Sequence, residues 1–357
     1  MKIFQCSACD FPVFFENTSC ESCDSVLGYL DSENEMFARK PEDLNWVIDG
    51  ETYTNCKNEP LGICNWLVPI TSETGFCKSC HLNRTIPDVS IPKLHERLQN
   101  MEIAKHRLIY TLERLGLPVV SQFENAENGL FFDFLSKGDR NVDGDKVMTG
   151  HANGVVTILL AEADDVNREQ MRVSLNEKYR TVIGHFRHEV GHYYWDVIFR
   201  NNDTFLADFR KLFGDESESY ADALKAHYAN GAPKDWKSRF ISEYASAHPW
   251  EDWAETWAHY LHILDTMETA FYFGLEGDPN LRNSPHMRVV SLYPYNEDLS
   301  FKTILEETTP LFYAVNSINR SMGITDVYPF VISDKVKEKL EFIHEILQRF
   351  KAESNLY

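Results

Sequence analysis

Apolar side chains recur every three to four residues in four long stretches of the chain, and this spacing predicts amphipathic helices. The stretches cover residues 92–115, about 178–199, 249–262 and 336–350. In the last one the apolar positions form a continuous stripe, which is most simply explained by packing into a core. Helices are therefore expected to dominate the chain after its first quarter.

Two other stretches, 129–135 and 146–160, are rich in β-branched and aromatic residues and predict strands. The turn-forming segment between them predicts that they pair as a long hairpin. This segment also partly matches a calcium-binding loop beginning at Asp139, but its twelfth position is Gly150 instead of a bidentate Glu, which favours a solvated turn. Together, these patterns predict an α+β protein that is mainly helical with a small β-sheet.

The composition narrows the classes of partner. Hydrophobic residues make up 43% of the 357 residues and charged residues 25%, as is typical of a globular protein. Thirty-five basic against 55 acidic residues give a net charge of −20, so we expect neither nucleic acid nor a membrane as partner. No apolar run is long enough for a transmembrane helix or resembles a signal peptide, so we expect a cytoplasmic protein.

The eight cysteines all lie before residue 81, and their spacing predicts metal binding. Disulfides are not expected in the reducing cytosol. Three of the four pairs are C-x-x-C, a spacing with which one tight turn supplies two thiolates to a tetrahedral Zn²⁺. The wider step from Cys56 to Cys64 leaves a redox-active pair, buried apolar thiols or an interleaved grouping as alternatives. The two predicted zinc sites are Cys6, Cys9, Cys20 and Cys23, and Cys56, Cys64, Cys77 and Cys80.

Zinc in this segment is expected to be structural, because a small module with few large apolar residues needs a metal to fold. Aromatic and β-branched residues around the first cysteine set predict the short strands of a zinc ribbon. Residues 1–90 contain six Lys or Arg against 14 Asp or Glu. This balance favours a structural or protein-binding ribbon over one that binds nucleic acid.

The segment GHFRHEVGHYYWD contains the pattern His188-Glu189-x-x-His192 within a predicted helix. Residues four apart lie on one helix face, so both imidazoles can bind one Zn²⁺. Glu189 lies beside the open coordination position, where it can take a proton from a zinc-bound water whose pKa is lowered to about 7. The alternative is a partly exposed helix with two unrelated histidines, so the motif needs a third ligand.

The next histidine-rich segment, HPWEDWAETWAHYLH, offers that ligand. Glu251 and Glu255 are four residues apart and share a helix face. In a thermolysin-like layout the first acid binds zinc and the second hydrogen-bonds a ligand histidine, so we assign Glu251 as ligand and Glu255 as its support. The reverse assignment remains open. His259 continues the same face and is expected to support the ligands or to pack in the core.

Hydrolysis of a peptide also requires a donor for the negative charge that develops on the carbonyl oxygen. Tyr244, seven residues before the proposed acidic ligand, is the candidate. A tyrosine at this offset resembles the arrangement in the zinc peptidase domain of anthrax lethal factor. Tyr193, Tyr194 and His248 are the rival candidates.

The order of these segments resembles the family of bacterial zinc-binding metallopeptidases that carry an N-terminal zinc ribbon. GHFRHEVGHYYW and HPWEDWAETWAHYLH are its most distinctive parts. The resemblance implies a zincin-like peptidase domain of the gluzincin type, with His188 and His192 as ligands and Glu189 as base. We expect a zinc-ribbon module at 1–90, the peptidase domain at 91–300 and a helical extension at 301–357.

The sequence therefore predicts a zinc-dependent metallopeptidase with one catalytic and two structural zinc ions, acting on a peptide or protein. An extended substrate is expected to pair with the strand at 154–160. The zinc ribbon is the candidate surface for a protein partner. The alternatives are a non-catalytic zinc-ribbon adaptor and a zinc hydrolase of a non-peptide amide, but a site without catalytic function has no need of Glu189 and usually has four protein ligands.

Overall fold

The computed structural model of the chain falls into two compact units. It describes residues 1–136, 149–174 and 180–354. The first unit, here called the ribbon unit, comprises Met1–Arg114 and Pro118–Met171. The second, the helical unit, comprises Leu115–Leu117 and Arg172–Tyr357. The helix and the sheet that follow residue 90 therefore cluster with the cysteine-rich segment.

The cysteine-rich part of the ribbon unit consists of three small antiparallel sheets. They are formed by β1 Phe4–Gln5 with β2 Pro12–Val13, β3 Val26–Leu30 with β4 Glu35–Arg39, and β5 Trp46–Ile48 with β6 Glu51–Asn55 and β7 Leu67–Pro69. Aromatic rings pack between them: Tyr29 contacts Phe15 and Trp66 edge to face, with centroids 4.8 and 4.9 Å apart. A Cβ on Gly28 would lie 2.3 Å from Leu67, so only glycine allows this approach.

The rest of the ribbon unit is a four-stranded sheet flanked by a long helix. Its elements are α1 Lys78–His81, β8 Asn83–Thr85, α2 Pro92–Arg114, β9 Phe131–Leu135, β10 Gly150–Ala152 and β11 Val155–Leu159, with strand order β10-β11-β9-β8. The observed helix α2 confirms the helix predicted at 92–115.

Among the described residues, no helix is both long enough and apolar enough to cross a membrane.

The predicted long hairpin is wrong. β9 and β11 pair in parallel, and β11 instead forms a hairpin with β10. That hairpin turns at Asn153 and Gly154, both with positive φ, as a tight two-residue turn requires. All five residues of β9 are buried, which is typical of strands in parallel pairing. The calcium-like segment from Asp139 lies mostly at 137–148, outside the described residues.

The helical unit packs around one central helix, α8. Its elements are α3 Asp165–Ser174, which begins in the ribbon unit, α4 Val182–Phe199, α5 Asp203–Phe213, α6 Tyr220–Asn230, α7 Trp236–Arg239, α8 Pro249–Tyr272, α9 Phe301–Ser321 and α10 Asp334–Ser354. Trp253 and Trp257 of α8 are fully buried. Four residues of the predicted C-terminal stripe, Val336, Leu340, Ile343 and Leu347, are buried too. The prediction of a mainly helical α+β protein behind a cysteine-rich module is confirmed.

Candidate metal centres

The approach of α4 to α8 brings the two chemical motifs of the sequence together. The helices cross at Gly191, where an added Cβ would lie 3.0 Å from the Trp257 ring and 3.1 Å from the Cα of Ala254. Trp253 Nε1 donates a hydrogen bond to the Gly191 carbonyl at 2.9 Å. Because Gly191 precedes His192 directly, this close packing presents the histidines of α4 to the acidic face of α8.

Three ligand atoms converge at this crossing. His188 Nε2 lies 3.0 Å and His192 Nε2 3.5 Å from Glu251 Oε2, and the two Nε2 atoms are 3.2 Å apart. Ligand atoms of a tetrahedral zinc site, about 2.0–2.2 Å from the ion, lie about 3.3 Å from one another. The triangle therefore has the dimensions of one face of a zinc coordination tetrahedron.

The chemistry of Glu251 also fits a cation. Its side chain is 1% exposed, and its Oε2 accepts no hydrogen bond from the described residues. Burial opposes ionisation, but the positive charge of protonated His192 and His188 holds the pKa of Glu251 well below its ordinary value. When both Nε2 atoms are unprotonated this charge is absent, and an ionised, buried oxygen without a donor is strongly unfavourable, so a divalent cation is a suitable replacement for the two protons.

Glu255 lies against the other nitrogen of His188. Its Oε1 is 2.7 Å from His188 Nδ1, and its Oε2 accepts a hydrogen bond from Ser242 Oγ at 2.6 Å. A proton on Nδ1 leaves Nε2 free to bind a metal, and the carboxylate fixes the plane of the ring. Of the two assignments open for the acidic pair, this arrangement corresponds to Glu251 as ligand and Glu255 as support.

Glu189 is buried on the same helix as the two histidines. Its Oε1 lies 3.2 Å from the Nε2 of His185, one turn earlier. Burial raises its pKa, but the nearby histidines, His185 first, outweigh that effect and lower it. An ionised carboxylate is the form that a general base requires.

Tyr244 lies in a single 3₁₀ turn before α8, with its ring centroid 6.1 Å from that of His188. Burial, followed by the charge of Glu251, raises the pKa of its hydroxyl, which therefore stays protonated and can donate. The hydroxyl of the neighbouring Tyr220 donates a hydrogen bond to Glu251 Oε1. Neither Tyr220 nor the Ser242 contact was predicted from the sequence, because neither belongs to a recognisable motif.

The rival donors have other contacts. Tyr193 and Tyr194 pack against each other at 5.0 Å, and Tyr194 stacks on Trp257 at 5.1 Å. His248 is the N-cap of α8. Contacts of this kind are typical of residues that stabilise the fold. The geometry therefore favours Tyr244 among the four candidates.

His259 lies one turn beyond Glu255 on α8. Its Nδ1 is 2.8 Å from the hydroxyl of Tyr328, and its ring packs edge to face on Phe330 at 4.2 Å. Burial lowers its pKa to about 4, so this imidazole is neutral at physiological pH. A supporting role for His259 at the metal site stays a prediction.

The eight thiols form two groups in the ribbon unit, each with four sulfur atoms within 4.8 Å of one another. The groups are Cys6, Cys9, Cys20 and Cys23, and Cys56, Cys64, Cys77 and Cys80. The closest Sγ–Sγ distances in the first group are 3.6 and 3.7 Å, and Cys64 to Cys77 is 3.6 Å. Sulfurs bound to a tetrahedral zinc lie about 3.8 Å apart, so both groups fit this ion. The grouping follows the sequence and is not interleaved.

The two thiol groups differ in exposure. Cys9 and Cys23 of the first group are exposed, whereas all four cysteines of the second are buried. The backbone N–H groups of Trp66 and Cys77 donate to sulfurs of the second group at 3.4 Å. The two groups therefore differ in how far solvent reaches their sulfur atoms.

Comparison with known proteins matches two family models to consecutive parts of the chain, and they meet within the ribbon unit. A family model described as "Putative zinc-binding metallo-peptidase" matches residues 94–346, and one described as "zinc-ribbon domain" matches residues 3–91. Uncharacterised proteins of Mycobacterium tuberculosis and Mycobacterium bovis are 41% identical over 348 residues, which cover 97% of this chain and 95% of each relative. No solved structure matches the chain significantly.

Proposed function

We propose that this chain, which belongs to the zinc-binding metallo-peptidase family that its sequence resembles, hydrolyses peptide bonds at a zinc ion held by His188, His192 and Glu251. One observation carries the proposal. The buried Oε2 of Glu251 accepts no hydrogen bond from the described residues and lies within 3.5 Å of both Nε2 atoms, and Glu189 is ionised beside them.

A zinc ion in this position would supply Lewis acidity and lower the pKa of a water to about 7. Glu189 then acts as general base: it accepts a proton as the water oxygen attacks the peptide carbonyl carbon. It returns that proton to the leaving amine as the C–N bond breaks. Tyr244 donates a hydrogen bond to the oxygen on which negative charge develops. Glu255, supported by Ser242, keeps His188 oriented throughout.

The two cysteine groups hold structural zinc in this proposal. Each presents four sulfurs, so no coordination position is left for a substrate. With the histidine site, the chain would bind three zinc ions. An adaptor without catalysis would need the cysteine sites only, and the ionised Glu189 beside two histidines favours the hydrolase.

The test combines metal analysis with cleavage. Wild type should contain three zinc ions, and the double variant His188→Ala/His192→Ala two. Glu189→Gln should retain three and lose cleavage of a proteome-derived peptide library by at least about a hundredfold, because a general base contributes about 10²–10⁴. Glu345→Gln, an exposed position on α10, is the matched control and should behave as wild type.

Two outcomes contradict the proposal. Wild type that contains no more zinc than the His188→Ala/His192→Ala variant would remove the histidine site. Wild type with three zinc ions that cleaves no peptide in the library would favour a non-peptide amide as substrate. Mass spectrometry of the library before and after incubation identifies each cleaved bond directly.

A further inference from the structure

We propose that Tyr220 is a positioning residue that makes Glu251 a ligand through one oxygen. The inference rests on the proposed function and extends it to a residue in α6 that no motif indicates. Its hydroxyl donates to Oε1 of Glu251, while Oε2 of the same carboxylate faces the two histidines. The two oxygens of one side chain are thus assigned to two different partners.

Tyr220 reaches Glu251 across 31 residues of sequence because the start of α6 is well defined. The side chain of Ser219 caps this helix by accepting a hydrogen bond from the Asp222 N–H, which makes Tyr220 its first residue. The Tyr220 ring packs edge to face against His248 at 5.3 Å and Trp250 at 5.8 Å. The tyrosine is therefore held by side chains from the start of α8, whose first turn also contains the ligand.

His248 ties the two helix starts together. Its Nδ1 accepts a hydrogen bond from the Trp250 N–H at 3.2 Å, so the ring proton is on Nε2 and is donated to the Glu218 carbonyl at 3.2 Å. One imidazole thus connects the first turn of α8 to the segment that leads into α6. Trp250 in turn lies over His192, with ring centroids 3.9 Å apart.

The hydroxyl of Tyr220 has one proton, and that proton goes to Glu251. A phenol titrates near 10, so the hydroxyls of Tyr220 and Tyr244 both keep their protons at neutral pH. Their functions are separate: Tyr220 fixes the ligand, and Tyr244 is the hydroxyl available to the substrate.

This separation predicts different defects in two conservative variants. Tyr220→Phe keeps the ring contacts but removes the hydrogen bond to the ligand Glu251. The affinity of the histidine site for zinc should therefore fall by about 10- to 100-fold. With Co²⁺ in that site, the visible spectrum should also change, because Oε1 is released to coordinate. Tyr244→Phe should retain zinc affinity within about twofold and lower kcat, because it removes a donor of the transition state.

Controls keep the inference separate from the proposed function. Tyr313→Phe, an exposed tyrosine on α9, should match wild type in zinc competition, Co²⁺ spectrum and kcat. If Tyr220→Phe has wild-type affinity and spectrum while wild type binds three zinc ions and cleaves peptides, the inference is overturned and the proposed function stands. If wild type has no zinc at the histidine site, the proposed function itself fails.

A second variant covers the case in which Tyr220→Phe loses stability. Tyr220→Gln lacks the ring but can still donate a hydrogen bond to Glu251, whereas Tyr220→Leu lacks both the ring and the donor. The Gln variant should therefore bind zinc more tightly than the Leu variant. Equal affinity of the Gln and Leu variants would assign the loss to packing and overturn the inference. The melting temperature of each apo variant identifies which comparison applies.

Discussion

Burial and neighbouring charges shift the pKa values of single residues of the helical unit in opposite directions. Which of the two effects is larger differs from residue to residue. Glu251 and Glu189 are buried, yet their pKa values are lowered, because several histidines surround them. His259 is also buried, but there burial outweighs the opposing charge of Glu255, and its pKa falls to about 4. The two carboxylates therefore stay charged at neutral pH, while this histidine stays neutral.

The low pKa of His259 predicts an acid sensitivity of the fold. Its stabilising contribution is complete above the ordinary pKa near 6.5 and is lost as pH falls towards 4, with a slope of up to about 1.4 kcal/mol per pH unit. The slope of unfolding free energy against pH in this range should be shallower in His259→Gln than in wild type. Urea unfolding at stepped pH in a chelator measures it, and His286→Gln, at an exposed position, is the control. Equal slopes in all three proteins would contradict the assignment.

Residues that belong to a spacing pattern could be predicted from the sequence, and residues brought in from elsewhere could not. The i, i+4 pairs of α4 and α8 indicated which side chains share a face, and the structure brings these faces together. Ser242 and Tyr220 lie 13 and 31 residues from the glutamates they contact. Nothing local in the sequence distinguishes them from other serines and tyrosines, because their roles depend on how the chain returns to α8.

The packing of α4 on α8 depends on the absence of a side chain at Gly191. Alanine there would gain about 1 kcal/mol of helix propensity but lose about 1–3 kcal/mol through crowding against Trp257 and Ala254. Gly191→Ala is therefore expected to lower the free energy of unfolding by up to about 2 kcal/mol and to weaken zinc binding, since it moves His192 away from Glu251. Urea unfolding and zinc competition measure the two effects.

Gly277 supplies a matched control for that substitution. An added Cβ there would lie 3.9 Å from Val289, an ordinary contact, so Gly277→Ala should leave zinc affinity unchanged. If Gly191→Ala binds zinc as tightly as Gly277→Ala does, the close crossing does not determine the geometry of the site.

Helices were easier to predict than strand pairing. The long periodic stretches became α2, α4, α8 and α10. The strands at 131–135 and 155–159 were expected where they occur, but their composition carries no information about direction. A polar connection suggested a hairpin, whereas the buried β9 pairs in parallel with β11. Strand direction depends on the path of the intervening chain, which a pattern of residue types does not define.

Considered as a whole, the molecule holds its two thiol groups in different environments. In the first, Cys23 is exposed, and hydrogen bonds with the Ser25 side chain and backbone lower its pKa to about 6. Such a thiol is a thiolate at neutral pH and reacts readily. In the second group all four cysteines are buried, so reagents reach them only after local opening.

The two predicted structural zinc ions should therefore leave in a fixed order. With a thiol-alkylating reagent and a chromogenic chelator present, one zinc should be released at least about tenfold faster than the other, because opening limits the buried group. Peptide mapping should find Cys9 and Cys23 modified before Cys56, Cys64, Cys77 or Cys80. Release of both ions at one rate, with modification spread over all eight residues, would contradict this order.

All eight sulfhydryl groups belong to the ribbon unit, and this distribution has a practical consequence for spectroscopy. A cysteine introduced on the outer surface of the helical unit would be the sole attachment point there for a dye or spin label. Once the native sulfhydryls are masked by their metals or blocked in advance, such a label would report on motions near the histidines without background. Conversely, a colorimetric sulfhydryl titration of the unlabelled protein reports on the ribbon unit alone and gives no information on the helical unit.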